Sequence, residues 1–284
     1  MIKRRRSSTP DHHRSAGTHG SSGTGRALSR SVLYFAGYRC INYGIARLVP
    51  ASARWAWPIR AYVRVPVVTL WTRLLLPHPQ TWGLRPRDQE VRHIMQGGIL
   101  GSIVALSWFG VATACGWVRW GAWGWRTTPP VQLARAVALM ITADYWVAWR
   151  EELVYRGAGL DLTTAALGPR WGRLGITLSF ALGHRRGPHR LIGYSAAGLA
   201  LLSLRDTSGT IWLPLGYHWA WNAWQTAIFG PPAALPSLRP VHVCGPDAWV
   251  GRPGQPEPGW LSTIMHLVIA AGSVLWHRRL VIVR

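Results

Sequence analysis

At 284 residues the chain is long enough for one large domain or two small ones; it is 49% apolar and 15% charged, with 32 Lys and Arg against 10 Asp and Glu and a formal net charge of +22. An ordinary soluble domain carries about a quarter charged residues, so this poverty of charge argues against one. The surplus of cations invites a nucleic-acid reading, but outside the N-terminal cluster the arginines stand between apolar segments, as at Arg85 and Arg87, Arg119 and Arg126, or Arg278 and Arg279. That placement, with tryptophans near segment ends, is what anchoring at a membrane interface requires. The chain is expected to be a multi-pass protein of the cell membrane, in contact with membrane lipids and with no nucleic-acid partner.

Residues 1–30 are rich in Ser, Gly, Arg and His and nearly free of apolar residues. Such a segment cannot bury enough surface to offset its ordering entropy, so a disordered basic tail is expected, left on the cytoplasmic side. It is too long and too polar for the n-region of a cleavable signal peptide. His12 and His13 read as tail residues rather than metal ligands. Residues 31–80 hold two apolar segments, 33–49 and 61–77, interrupted by Arg39, Arg47, Arg64 and Arg73. These amphipathic or membrane-associated segments either span or lie at the interface with their arginines snorkelling. The first strong span is 94–118, uncharged and longer than the roughly 20 residues needed to cross the hydrocarbon. In it Gly97 and Gly101 make a small-x-x-x-small pair that lets a neighbouring helix approach closely. Further apolar runs follow at 131–156, near 172–184, 190–204 and 209–229, and at 260–276. Backbone groups in lipid need internal partners, so the expected fold is all-α: a polytopic transmembrane helix bundle of about 6–8 helices. Residues 230–259, dense in Pro and Gly, fit no regular element and read as a structured loop or lid. Cys40, Cys115 and Cys244 are far apart and give neither a metal nor a disulfide framework.

The chemistry sits in "YWVAWREELVYRGAGL", Tyr145 to Leu160. An unpaired charge in mid-membrane costs about 2.5–3.5 kcal/mol. Glu151, Glu152 and Arg156 must therefore be paired, interfacial or lining a wet cavity. Glu152 and Arg156 lie about 40° apart around a helix axis and can pair; Glu151 is turned about 100° from Glu152 and faces something else. Asp144, on the Glu151 face, either hydrogen-bonds in the cavity or ends a polar stripe. Phe180 and His184 share a helix face at i,i+4, and so do His218 and Asn222. Singly, each has a bland reading as an interfacial ion pair or a structural histidine. Three apolar helices each contributing polar groups are explained most economically by one polar intramembrane cavity. It would hold a general base, imidazoles to orient water or a metal, and an amide donor for an oxyanion.

The order E-E-x-x-x-R, F-x-x-x-H, H-x-x-x-N on successive apolar helices resembles the CPBP intramembrane proteases, the family of the type II CAAX prenyl endopeptidases and their bacterial relatives. The residues that carry the resemblance are Glu151, Glu152 and Arg156, Phe180 and His184, and His218 and Asn222. The text around them, "TSGTIWLPLGYHWAWNAWQTAIFG" and "GPDAWVGRPGQPEPGWL", is similar to bacterial-type members, and the resemblance covers about 81–276. It implies an intramembrane protease core over 81–278, with 230–259 as a loop within it and the N-terminal 80 residues outside the match. It also implies a hydrolase acting on a peptide bond of a membrane-associated or prenylated protein. Glu151 would activate water with His184; His218 and Asn222 would bind the water or metal and stabilise the oxyanion; Glu152, Arg156 and Phe180 would support them. Glu151, His184 and His218 could instead ligate zinc, although there is no H-E-x-x-H and a Glu–His-activated water needs no metal. The chain departs from the family pattern after His184, where "RRGPHR" is more basic than expected and the gap to His218 is short. A basic rim there predicts preference for an acidic or C-terminal carboxylate group, with Arg185 and Arg186 as its readers and His189 in the loop. From another class, a non-proteolytic membrane scaffold or bacteriocin-immunity-type protein could keep the same fold and use the cavity for binding.

Overall fold

The computed structural model describes residues 19–50, 55–76, 82–84, 89–184, 188–230, 235–252 and 255–282. The fold is all-α. Its helices are α1 His19–Leu48, α2 Ala56–Leu75, α3 Glu90–Ala114, α4 Pro130–Glu152, α5 Gly159–Gly183, α6 Pro188–Ser208, α7 Trp212–Ala223, the one-turn α8 Asp247–Val250, and α9 Trp260–Ile282. The only sheet among the described residues is a two-stranded ribbon, β1 Val118–Trp120 antiparallel to β2 Val241–Val243, in the register Val118↔Val243.

The ribbon corrects two expectations. The apolar run 94–118 does not stay helical to its end: α3 stops at Ala114, and Gly116, at φ 69°, turns the chain into β1. Only glycine enters that left-handed region without a steric penalty. Residues 230–259 likewise contain regular structure: β2, which pairs with the edge of β1, and the one-turn α8. Two expectations about the termini of elements also shift. Residues 1–18 lie outside the described residues, but 19–30, expected in the disordered tail, form the first turns of α1. Extending a helix already fixed by packing costs little, since nucleation is the unfavourable step. His189, expected in a loop, stands in the first turn of α6. The short gap between His184 and His218 is thus long enough for a complete helix.

The N-terminal helices pack onto the rest, α1 against α5 and α2 against α4. Tyr34 and Thr72 share a hydrogen bond at 3.0 Å, and Trp71 Nε1 donates to the Tyr34 carbonyl at 3.1 Å. Several arginines of this region turn inward to cap backbone carbonyls rather than only snorkelling. Arg60 donates to the carbonyls of Val49 and Ala46 at the end of α1, and Arg39 to that of Ser179 on α5. A cation at a helix C-terminus satisfies orphan carbonyls and the helix dipole together.

Helices α3 and α7 meet where the small-residue pair predicts. A Cβ on Gly97 would stand 2.1 Å from the Leu213 carbonyl oxygen, one on Gly101 2.4 Å from that of Tyr217, and one on Gly216 2.1 Å from that of Ile94. The backbones touch, and no side chain fits between them. Gly101→Val is expected to cost at least about 1–3 kcal/mol by overpacking, read as a lower thermal midpoint in detergent. An unchanged midpoint would show that the helices separate freely.

Beside an apolar core the structure buries charge and exposes apolar surface. Asp144, Arg150, Glu151, Glu152 and Arg156 are buried, whereas Met95, Ile99 and Ile103 on α3 and Ile264, Val268 and Leu275 on α9 are exposed. Among the described residues, Glu90–Ala114 and Trp260–His277 are long and apolar enough to cross a membrane.

Candidate active site

Two π-helical turns shape the site: Leu153–Ala158 continues α4 into α5, and Trp224–Ile228 continues α7. Such extra-residue turns inside helices occur frequently at functional sites. Between them lies a cavity of about 230 Å³ lined by Glu151, Phe180, His184, His218 and Asn222 together with Trp57, Tyr194, Trp221, Gln225, Glu257 and His266. Every residue assigned a catalytic role from the sequence lines this one space.

The two adjacent glutamates separate as the helical angles require. Glu152 is fully buried, and its Oε1 accepts from Arg156 Nη1 at 3.2 Å and from His218 Nδ1 at 2.8 Å. Arg156 also reaches the Gly198 carbonyl on α6 at 3.2 Å, and its Cζ lies 4.3 Å from the centre of the Phe180 ring. A buried guanidinium is thereby joined to a carboxylate, a carbonyl and an aromatic face. Phe180 links the pair to both imidazoles, with ring centroids 4.6 Å from His184 and 6.4 Å from His218.

Glu151 faces the histidines. Its Oε2 lies 3.6 Å from His184 Nε2 and 4.0 Å from His218 Nε2. In each imidazole the other nitrogen is engaged, His184 Nδ1 with the Phe180 carbonyl at 2.9 Å and His218 Nδ1 with Glu152. An N–H donated at Nδ1 fixes the tautomer and turns Nε2 toward Glu151. Separations of 3.6–4.0 Å exceed a direct hydrogen bond and suit a bridging water. His184 caps the end of α5 rather than lying within it, and Tyr194 of α6 stacks on its ring at 4.5 Å.

Asp144 accepts from Trp57 Nε1 at 3.3 Å and from the Thr226 hydroxyl. Of the two readings open for it, hydrogen bonding at the cavity wall holds: both of its partners line the cavity. Arg185, Arg186, His12 and His13 lie outside the described residues.

Sequence reasoning missed five participants. Arg150 Nη2 sits 2.5 Å from Glu151 Oε1, and no helical rule points to it, because i,i+1 residues do not face each other. Trp57 and Tyr194 carry no polar signal of their own. Glu257 comes from a segment without periodicity. His266 alone had a readable signal, a histidine in the middle of an apolar run.

Catalytic zinc is held by three protein ligands at about 2.0–2.2 Å. Among the described residues no group of three or more His, Cys, Asp or Glu side chains is arranged to hold a metal ion. The Arg150 cation at Glu151 Oε1 further opposes a dication there. The residues as placed do not fit zinc, and no step below is routed through it.

Residues 132–224 match the family model of the Type II CAAX prenyl endopeptidase Rce1-like domain. The match runs from α4 to the first residue of the second π turn, and so takes in every motif residue from Glu151 to Asn222. The matched segment, residues 132–224, is similar to the Rce1-like domain, which is consistent with a CPBP family member. The family is one of membrane proteases. No curated protein and no solved structure matches the chain. The Rce1-like match excludes α1 to α3, the ribbon and α9, so Trp57, Gln225, Glu257 and His266 are additions from outside it.

Proposed function

We propose that the protein is a multi-pass intramembrane endopeptidase that hydrolyses a peptide bond of a membrane-associated or lipidated protein, with Glu151 as general base. The observation that carries this reading is the convergence of Glu151 Oε2 with the Nε2 atoms of His184 and His218, inside the segment matched to a protease family. The buried charges and outward apolar stripes support a polytopic bundle, since charged groups in a bilayer face the bundle interior.

A water between these atoms donates one hydrogen bond to Glu151 Oε2 and the other to His218 Nε2. As its oxygen bonds to the scissile carbonyl carbon, Glu151 takes its proton. The Asn222 amide N–H donates to the developing oxyanion. The proton passes from Glu151 to His184 Nε2, and as collapse breaks the C–N bond His184 delivers it to the leaving amine. Glu152 holds the tautomer of His218, Arg156 pairs with Glu152, and Phe180 packs against the two imidazoles.

The test is a comparison of protein termini in membrane fractions from cells expressing wild type or equal amounts of Glu151→Gln. New termini confined to wild type are expected, and their flanking residues report specificity. With both proteins folded in the membrane, identical termini would replace this reading with a scaffold that uses the cavity for binding.

A further inference from the structure

The cavity has a second polar wall beyond the family match. Gln225 stands in the second π turn and His266 on α9, and both line the cavity. They are 8% and 2% exposed. The Tyr217 hydroxyl pairs with His266 Nδ1 at 2.9 Å, while His266 Nε2 and Gln225 Nε2 have no hydrogen-bond partner among the described residues. An unsatisfied buried polar group is costly, so apolar side chains would serve better at both positions if nothing entered the cavity. Among the described residues His266 is the hydrogen-bond partner given for the buried Tyr217 hydroxyl, so donation from that hydroxyl to Nδ1 uses its proton and leaves the imidazole proton on Nε2. Both unpartnered atoms are then donors.

The charge of the surroundings selects among acceptors. Glu151 and Glu257 line the same cavity. Glu257 is held there by Trp221 Nε1 at 2.9 Å and the Tyr194 hydroxyl at 3.5 Å. A carboxylate or phosphate entering would meet two negative charges. A neutral carbonyl oxygen meets none of that repulsion, and a peptide main chain presents one at every residue.

We propose that Gln225 and His266 form a substrate-binding subsite whose two N–H groups take main-chain carbonyl oxygens of the peptide beside the scissile bond. The proposal rests on the endopeptidase reading. It places substrate recognition in α9 and the second π turn.

The experiment uses the full-length protein in proteoliposomes and a farnesylated, internally quenched peptide ending in a CAAX sequence. Hydrolysis is followed by fluorescence, and binding of the same peptide is measured by anisotropy in the Glu151→Gln background. His266→Phe and Gln225→Leu, on separate elements, are each expected to raise KM and Kd about tenfold while kcat stays within a few-fold. His266→Gln, which keeps a side-chain N–H, should recover part of the loss. Unchanged KM and Kd in both variants, or a fall in kcat at constant KM, would overturn the subsite and leave hydrolysis standing. Binding that the variants weaken, without cleavage by wild type, would keep the subsite and sink the endopeptidase reading. A wild type that neither binds nor cleaves the peptide would overturn both.

Discussion

Arg156→Leu is expected to destabilise the folded protein by about 3–5 kcal/mol, the cost of leaving a buried charge without its partner. Glu152 is fully buried, and its Oε1 accepts from both Arg156 and His218. Removing the guanidinium leaves a carboxylate in a low-dielectric interior with a single imidazole donor. The second variant separates charge from packing. Glu152→Gln alone strands the Arg156 cation, but Glu152→Gln combined with Arg156→Leu removes both charges and keeps a side-chain oxygen able to accept from His218 Nδ1. The double variant should therefore regain most of the lost stability in denaturant titration of the detergent-solubilised protein. Full recovery is not expected, because Arg156 also bonds the Gly198 carbonyl and covers the Phe180 ring. Equal destabilisation of single and double variants would assign the role of Arg156 to those contacts with α6 and α5 rather than to neutralising Glu152.

The elements legible in the sequence were those under local rules. The i,i+4 spacing made Glu152 and Arg156 a pair and turned Glu151 away from them, and the structure shows both. Gly97 and Gly101 announced a close helix contact, although not that α7 would be the partner. What stayed hidden depends on contacts distant in sequence. Arg150, itself buried, reaches Glu151 from the adjacent position, and no spacing rule contains that. The ribbon needs Val118–Trp120 and Val241–Val243 to meet across more than a hundred residues, and neither segment is strand-like enough to read alone. Trp57 enters the cavity wall through the packing of α2 on α4 and its bond to Asp144. The same distance from local pattern explains Glu257, whose carboxylate is fixed by Trp221 and Tyr194 on two other helices. A polar residue in an apolar run was the most productive signal, and His266 shows that it should be followed beyond the motifs that suggest a family.

The largest effect on rate is expected at Glu151. Glu151→Gln preserves size and can still bond Arg150, but an amide cannot take a proton from water. General-base catalysis contributes about 10²–10⁴-fold, so kcat for the quenched peptide should fall by that factor with KM nearly unchanged. His184→Gln should lower kcat comparably, since it removes the group that returns the proton to the leaving amine. The informative variant is the double one. Glu151 takes the proton of the water and His184 hands that same proton to the leaving amine, and residues that act as one relay are non-additive, because losing either already disables it. Glu151→Gln with His184→Gln should thus be little slower than the slower single variant, the residual rate coming from the Asn222 donor and from binding. Independent contributions would instead multiply, and the double variant would be slower than either single by a further factor of hundreds or more. That result would break the proton relay inferred from the 3.6 Å approach of His184 Nε2 to Glu151 Oε2. It would leave the carboxylate and the histidine acting on separate protons.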